Sequence, residues 1–192
     1  MENSRTKLLS QFLKRRRPLY NKYPVLPFQK NIEKETNSSN ASNHQRGIEF
    51  EKFIVQLFDR NYFTLLEWRS DKHIDGISPF MNRFPDLEFY FNLNSESLHF
   101  AIECKWREHF FQDCIEFKRY QLDNYWEYAK AEKIPVFIVL GVGNTPSHPS
   151  EIYIVPLNKI EGPKLHAMEL KPYQRQKPYD SFYLNCARKT LK

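Results

Sequence analysis

Alternation and helical periodicity divide the chain into elements before any chemistry is considered. Between Gly47 and Arg60 the apolar positions recur with a helical period. With Glu49 as origin and about 100° per residue, Phe50, Ile54 and Leu57 fall at roughly 80–140° and Phe58 at about 180°. Lys52, Gln56, Asp59 and Arg60 gather around Glu49, which puts Glu49 on the wet face. Glu51 falls at about 200°, between Phe58 and Val55, along the core side. A carboxylate there needs a partner. Tyr62 to Arg69 reads as a strand and Ser70 to Phe84 as an irregular connection. Pro85 to Phe91 then alternates, with Asp86, Glu88 and Tyr90 on one face and Leu87, Phe89 and Phe91 on the other. After a polar turn at Asn94-Ser95, Leu98 to Trp106 returns with Ala101, Glu103 and Lys105 on one face and Phe100, Ile102 and Cys104 on the other. The pair predicts a β-hairpin. Phe117 to Glu132 is rich in helix formers and ends before Pro135. Val136 to Val142 is the continuous apolar run of a buried central strand, and Glu151 to Val155 is a further strand. Beyond it, Pro163, Pro172 and Pro178 precede a short predicted helix at Tyr179 to Ala187.

The first 43 residues differ in kind from the rest. Lys7 to Lys14 predicts a short helix, which Pro18, Pro24 and Pro27 interrupt, and Asn37 to Asn43 is a polar linker whose last residue is placed to cap the next helix. The expected organisation is a basic arm and linker over 1–43 and one folded domain over 44–192, since 192 residues suffice for one sizeable core. Charge follows the same division. Residues 1–46 carry ten Lys/Arg against three Asp/Glu, a net +7, leaving nineteen against twenty, or −1, for 47–192. The densest run, Lys14-Arg15-Arg16-Arg17, suits contact with a phosphate backbone by counterion release, or a solvated basic leader. Three cysteines, Cys104, Cys114 and Cys186, form neither an even disulfide set nor a CxxC pattern, and no apolar run is long enough to span a membrane. A soluble, cytoplasmic protein is the expectation.

The candidate chemistry sits on the hairpin. A turn centred on Asn94-Ser95 puts Asp86 directly opposite Glu103, with Cβ atoms about 4.5–5.5 Å apart, where like charges repel unless a cation lies between them. An oxygen-rich site of that kind suits Mg²⁺ or Mn²⁺. Lys105 shares the face of Glu103 one pleat further on, where an ammonium can orient a nucleophile and stabilise charge in a phosphoryl transition state. Gln121 and Tyr125, spaced i and i+4, share one face of the following helix, as phosphate contacts or as ordinary helix-surface residues. Glu88 shares the strand face of Asp86, and its role is open.

In this order the motifs resemble the PD-(D/E)xK nuclease superfamily. Gly47-Ile-Glu-Phe-Glu51 is similar to its first-helix glutamate motif, Pro85-Asp86 to its second-strand aspartate, Glu103-Cys-Lys105 to its ExK, and Gln121-Leu-Asp-Asn-Tyr125 to the QxxxY of RecB-type members. The resemblance spans about Gly47 to Leu157. It implies an α/β, restriction-endonuclease-like core of order αβββαβ, with a mixed central sheet flanked by helices. It also implies that Glu51, Asp86 and Glu103 ligate Mg²⁺ (or Mn²⁺), that the Cys104 main-chain carbonyl adds a ligand, and that Lys105 activates water. The expected activity is metal-dependent hydrolysis of DNA, endonucleolytic rather than exonucleolytic, with Lys14 to Arg17 adding nonspecific affinity. A homodimer would serve two strands. RecB-type nucleases are usually fused to or partnered with helicases; no GxxxxGK[ST] motif occurs here, so a helicase or recombination partner would be a separate protein.

Other readings have their own marks. A non-catalytic nucleic-acid-binding or assembly subunit on the same fold would bind DNA without turnover, and nothing in the motifs distinguishes DNA from RNA. His73, Asp75, His99 and His109 lack zinc-site spacing. Gly141-Val-Gly143 lacks the third glycine of a dinucleotide loop and reads as a strand end. Most of the aromatics near the site, from Trp106 to Tyr128, read as core, with a base-stacking surface as the sharper alternative.

Overall fold

The computed structural model describes residues 37–69 and 83–192, with side chains from residue 42 onward in the first segment. These all belong to one compact unit, Asn37–Lys192. Helix α1 (Asn37–Gln56) leads into β1 (Phe63–Trp68), β2 (Leu87–Leu93), β3 (Glu96–Arg107) and the short β4 (Cys114–Glu116). Helix α2 (Arg119–Glu132) precedes β5 (Val136–Val142) and β6 (Glu151–Pro156), and β7 (Lys164–His166), the one-turn α3 (Ala167–Leu170), β8 (Leu184–Asn185) and β9 (Thr190–Leu191) complete the chain. Five strands form the central sheet in the order β1-β2-β3-β5-β6. Only the β3–β5 pairing is parallel. A parallel neighbour needs a crossover, and α2 supplies it. The fold is α/β, with a mixed central sheet flanked by helices and the expected αβββαβ order.

The hairpin register is the one the turn dictated. Leu87 pairs with Ile102, and the ladder runs unbroken to Leu93 opposite Glu96. Asn94 occupies the left-handed region at φ 55°, which an Asx side chain tolerates better than most. One sheet face carries Leu87, Phe89, Phe100, Ile102, Cys104, Phe137 and Val139, packed against Phe50, Phe53, Ile54, Leu57 and Phe58 of α1 and its C-terminal turn. Phe58 stacks on Phe89 with ring centroids 4.1 Å apart and on Phe182 at 4.4 Å. Val136, Ile138 and Leu140 alternate to the other face, where α2 buries Leu122, Tyr125 and Tyr128.

Several boundaries differ from expectation. Asn37 to Asn43, predicted as a linker ending in a cap, is the first part of α1. Asn and Ser have only modest helix propensity, but extending a helix already anchored by Phe50, Ile54 and Leu57 costs little per residue once nucleated. Tyr179 to Ala187 is not a helix: Phe182 and Leu184 enter the core as extended chain, and Leu184 pairs with Leu191. Burial of these two side chains overrides the weak local preference. The predicted helix at Lys7 to Lys14, the Lys14–Arg17 run and most of the Ser70–Phe84 connection lie outside the described residues.

Candidate active site

Asp86 is the residue before β2, so the hairpin ladder continues outward to it from the Leu87–Ile102 pair. Its Oδ2 accepts a hydrogen bond from the backbone N–H of Cys104 at 2.8 Å, which ties the aspartate to the β3 backbone beside Glu103 and Lys105. Glu103 is 2% exposed. Its Oε1 accepts from the Lys105 ammonium, whereas Oε2 is buried with no hydrogen-bond partner among the described residues. A buried acceptor left unmade costs about 1–3 kcal/mol, and more for a charged group. Burial is explained if that oxygen has another ligand.

Glu51 reaches the same place from α1. It is 7% exposed, and its Oε2 accepts from the indole Nε1 of Trp68 at 2.6 Å. A bulge in β1 makes this contact. The pairing with β2 runs Thr64–Tyr90 and Leu65–Phe89, then shifts by one, so that Trp68 lies opposite Leu87 on the α1 side of the sheet. Without that extra residue Trp68 would face away, since one step of register reverses every side chain.

The bulge also sends Arg69 to the opposite face. There its guanidinium donates to the Pro85 carbonyl at 2.6 Å and pairs with Glu88, while its backbone N–H donates to the Asp86 carbonyl at 2.7 Å. Tyr128 of α2 lies 3.4 Å from the same guanidinium, and His99 stands 3.3 Å from the second Glu88 oxygen. Glu88, fully buried, is thus engaged by Arg69 and His99 and holds the Pro85-Asp86 turn instead of facing the cleft. Neither Trp68 nor Arg69 was singled out from sequence, because a bulge leaves no mark in alternation.

Electrostatics follow from this crowding. Burial, then the Glu103 and Glu51 carboxylates, raise the Asp86 pKa well above 3.8, against the opposing effects of Lys105 and the Cys104 N–H. For Lys105 burial acts to lower the pKa, but Glu103 and Asp86 outweigh it and hold the value above the ordinary 10.5. The two carboxylates thus favour the ammonium form of Lys105 in the metal-free site, as a hydrogen-bond donor to Glu103. Burial, then Asp86, raises the Cys104 thiol pKa, so that side chain stays neutral.

Asp86, Glu51, Cys104 and Lys105 line a cleft of about 450 Å³. Arg46 of α1 and Arg107 at the end of β3 line it too. Arg46 sits 5.7 Å over the Trp106 ring, and Arg107 donates to the Trp106 carbonyl at 2.9 Å. These two arginines were not predicted as site residues. Gln121 and Tyr125 share one side of α2, but neither lines the cleft, and Tyr125 is buried.

Among the described residues no three His, Cys, Asp or Glu side chains close around a point as a metal cage would. The donors nevertheless fit a hard divalent cation: all are oxygens, one is an orphaned buried carboxylate atom, and the acids repel one another. Among the described residues no zinc-type Cys/His set accompanies them. Among the described residues no helix is long and apolar enough to cross a membrane.

No family model matches the chain, and no curated protein matches it in sequence. Among solved structures it is similar to Hjc, a Holliday junction resolvase from the archaeal hyperthermophile Archaeoglobus fulgidus, at 18% identity and a TM-score of 0.46, over 66% of this chain and 93% of that one.

Proposed function

We propose that the cleft is the active site of a metal-dependent nuclease of PD-(D/E)xK type that hydrolyses phosphodiester bonds within DNA. The observation that carries this reading is Glu103: buried, one oxygen on Lys105 and the other without a partner among the described residues, directly behind the cleft that Asp86, Cys104 and Lys105 line. Glu51, Asp86 and Glu103 would hold Mg²⁺ or Mn²⁺, with the Cys104 main-chain carbonyl as a further donor. Such an ion, when bound, polarises a phosphoryl oxygen and acidifies water.

The chain's own groups divide the remaining work. Lys105 donates a hydrogen bond from a fixed ammonium to the attacking water or a non-bridging phosphate oxygen, which orients the one and stabilises charge on the other. The Glu103 and Asp86 carboxylates beside Nζ favour its ammonium form before a metal binds. Trp68 holds Glu51 in one rotamer through the indole hydrogen bond, and Arg69 holds the main chain of Pro85-Asp86. Arg46 and Arg107 take flanking phosphates at the cleft. The Lys14–Arg17 arm adds sequence-independent affinity, and two copies of the chain supply one cleft per strand.

Nicking of supercoiled plasmid in Mg²⁺ is the test. Wild type is expected to cut, and Asp86→Ala and Lys105→Ala to lose at least 100-fold, on the order of a removed charge-stabilising group, while retaining the wild-type melting cooperativity. Equal cutting by the wild type and both variants would refute the assignment. Salt-dependent DNA binding with no cutting in either metal would favour a binding subunit on the same fold.

A further inference from the structure

A second groove lies at the other end of the sheet. Val136, at its floor, pairs with Ala101, whereas Lys105 pairs with Leu140, so the two sites are four residues, or about 13 Å, apart along the strands. They share no lining residue. The groove holds about 430 Å³ between the C-terminal half of α2, the start of β5, the end of β6 and the β8–β9 turn. Four cations from three separate places converge on it: Lys133 at the C-terminal cap of α2, Lys159 in the 3-10 turn after β6, and Arg188 and Lys189 in the β8–β9 turn. No Asp or Glu lines the groove, and none of the four makes an ion pair among the described residues.

That concentration is not a consequence of overall charge. Residues 47–192 carry nineteen Lys/Arg against twenty Asp/Glu, so a groove with four cations and no acid is a local departure from a balanced surface. Mutual repulsion among unpaired cations is tolerated because they are exposed, but it favours any anion that enters. Backbone geometry fixes where three of these side chains start. Lys133 caps α2 in the left-handed conformation at φ 58°, Lys189 has φ 49°, and the Arg188 N–H donates to the Asn185 side-chain oxygen at 2.9 Å. The wall opposite contains Trp126, an indole 42% exposed on α2. An exposed aromatic face among cations is the pairing that single-stranded nucleic acid uses, with bases stacked on the ring and phosphates on the cations. Duplex DNA offers phosphates to the cations but no free base face.

We infer that this groove binds a single-stranded segment of nucleic acid, with Trp126 stacking on an unpaired base and Lys133, Lys159, Arg188 and Lys189 holding its phosphates. The ligand class rests on the nuclease reading. The convergence of charge and indole does not. A single strand held here is anchored at the end of the β3–β5 pair away from the cleft, which directs cutting toward substrates with a flap, gap or branch near the scissile bond.

Binding of a labelled oligo(dT) followed by anisotropy in EDTA, where no cutting occurs, tests the assignment in the full-length chain. Trp126→Ala is expected to weaken binding roughly 5- to 150-fold, equivalent to about 1–3 kcal/mol of base stacking. The double variant R188A/K189A is expected to reduce the slope of log K against log salt by about 1.4, and K133A/K159A, on different elements, by a similar amount. All five side chains are exposed or half-exposed, and wild-type melting curves would verify folding. Unchanged affinity and slope in all three variants would overturn the inference. So would preferential binding of blunt duplex, or equal affinity for polyglutamate. Plasmid nicking by R188A/K189A separates the two proposals: oligo(dT) binding lost with nicking retained supports both, nicking absent from wild type with the binding losses intact removes only the nuclease reading, and nicking present with unchanged binding removes only the groove.

Discussion

Glu103 and Asp86 carry most of the meaning at the scale of single residues. Removing a carboxylate from water costs several kcal/mol, which a partner must offset. Lys105 meets half of that requirement for Glu103 and leaves Oε2 without a partner among the described residues. Asp86 records the same strain as a raised pKa, caused first by burial and then by Glu103. In metal-free protein the folded state therefore keeps a proton that the unfolded chain has released above its ordinary 3.8. Stability from this group is complete below about pH 4 and is lost as pH rises toward the folded value. In EDTA, the melting temperature of wild type relative to Asp86→Asn should fall between pH 4 and 7, and saturating Mg²⁺ at pH 7 should reverse the difference. A pH-independent difference would mean that Asp86 is not desolvated among like charges.

The hairpin was the most legible element, and β1 the least. Clean alternation on both sides of Asn94-Ser95 left one register that buried Phe89, Phe100 and Ile102, and the observed ladder is that register. The angular position of Glu51 on α1 likewise followed from the spacing of Phe50, Ile54 and Leu57. What alternation does not encode is an interruption of itself. The β1 bulge places Trp68 and Arg69 around the site, and no residue type in Phe63–Trp68 announces it. Gly141 shows a second such dependence. A Cβ there would lie 2.4 Å from Cε2 of Phe50, so the strand can approach α1 only with glycine at this position. Gly141→Ala should cost about 1–3 kcal/mol by overpacking, lowering the melting temperature by several degrees. Phe50→Leu should recover part of the loss in the double variant, as a thermal-denaturation cycle would reveal. Strictly additive effects would mean that the two side chains do not compete for the same space.

Across the whole molecule, the order αβββαβ and the gathering of Glu51, Asp86 and Lys105 in one cleft follow from motifs readable in the sequence. The final thirty residues were not readable, because Phe182, Leu184 and Leu191 complete the core as extended chain without regular periodicity. Distribution of charge was visible only as a ratio. Folding gathers the charges of a nearly balanced domain into a cleft where Glu51 and Asp86 lie beside Lys105, Arg46 and Arg107, and a separate groove of four cations with no acid. The sharpest test of the account is direct binding of Mn²⁺, followed by the loss of its free electron paramagnetic resonance signal on titration with protein. The account predicts saturable binding by wild type, strongly weakened in Glu103→Ala and Asp86→Ala and unaffected by R188A/K189A. Absence of binding to wild type, or binding that survives loss of both carboxylates, would contradict it.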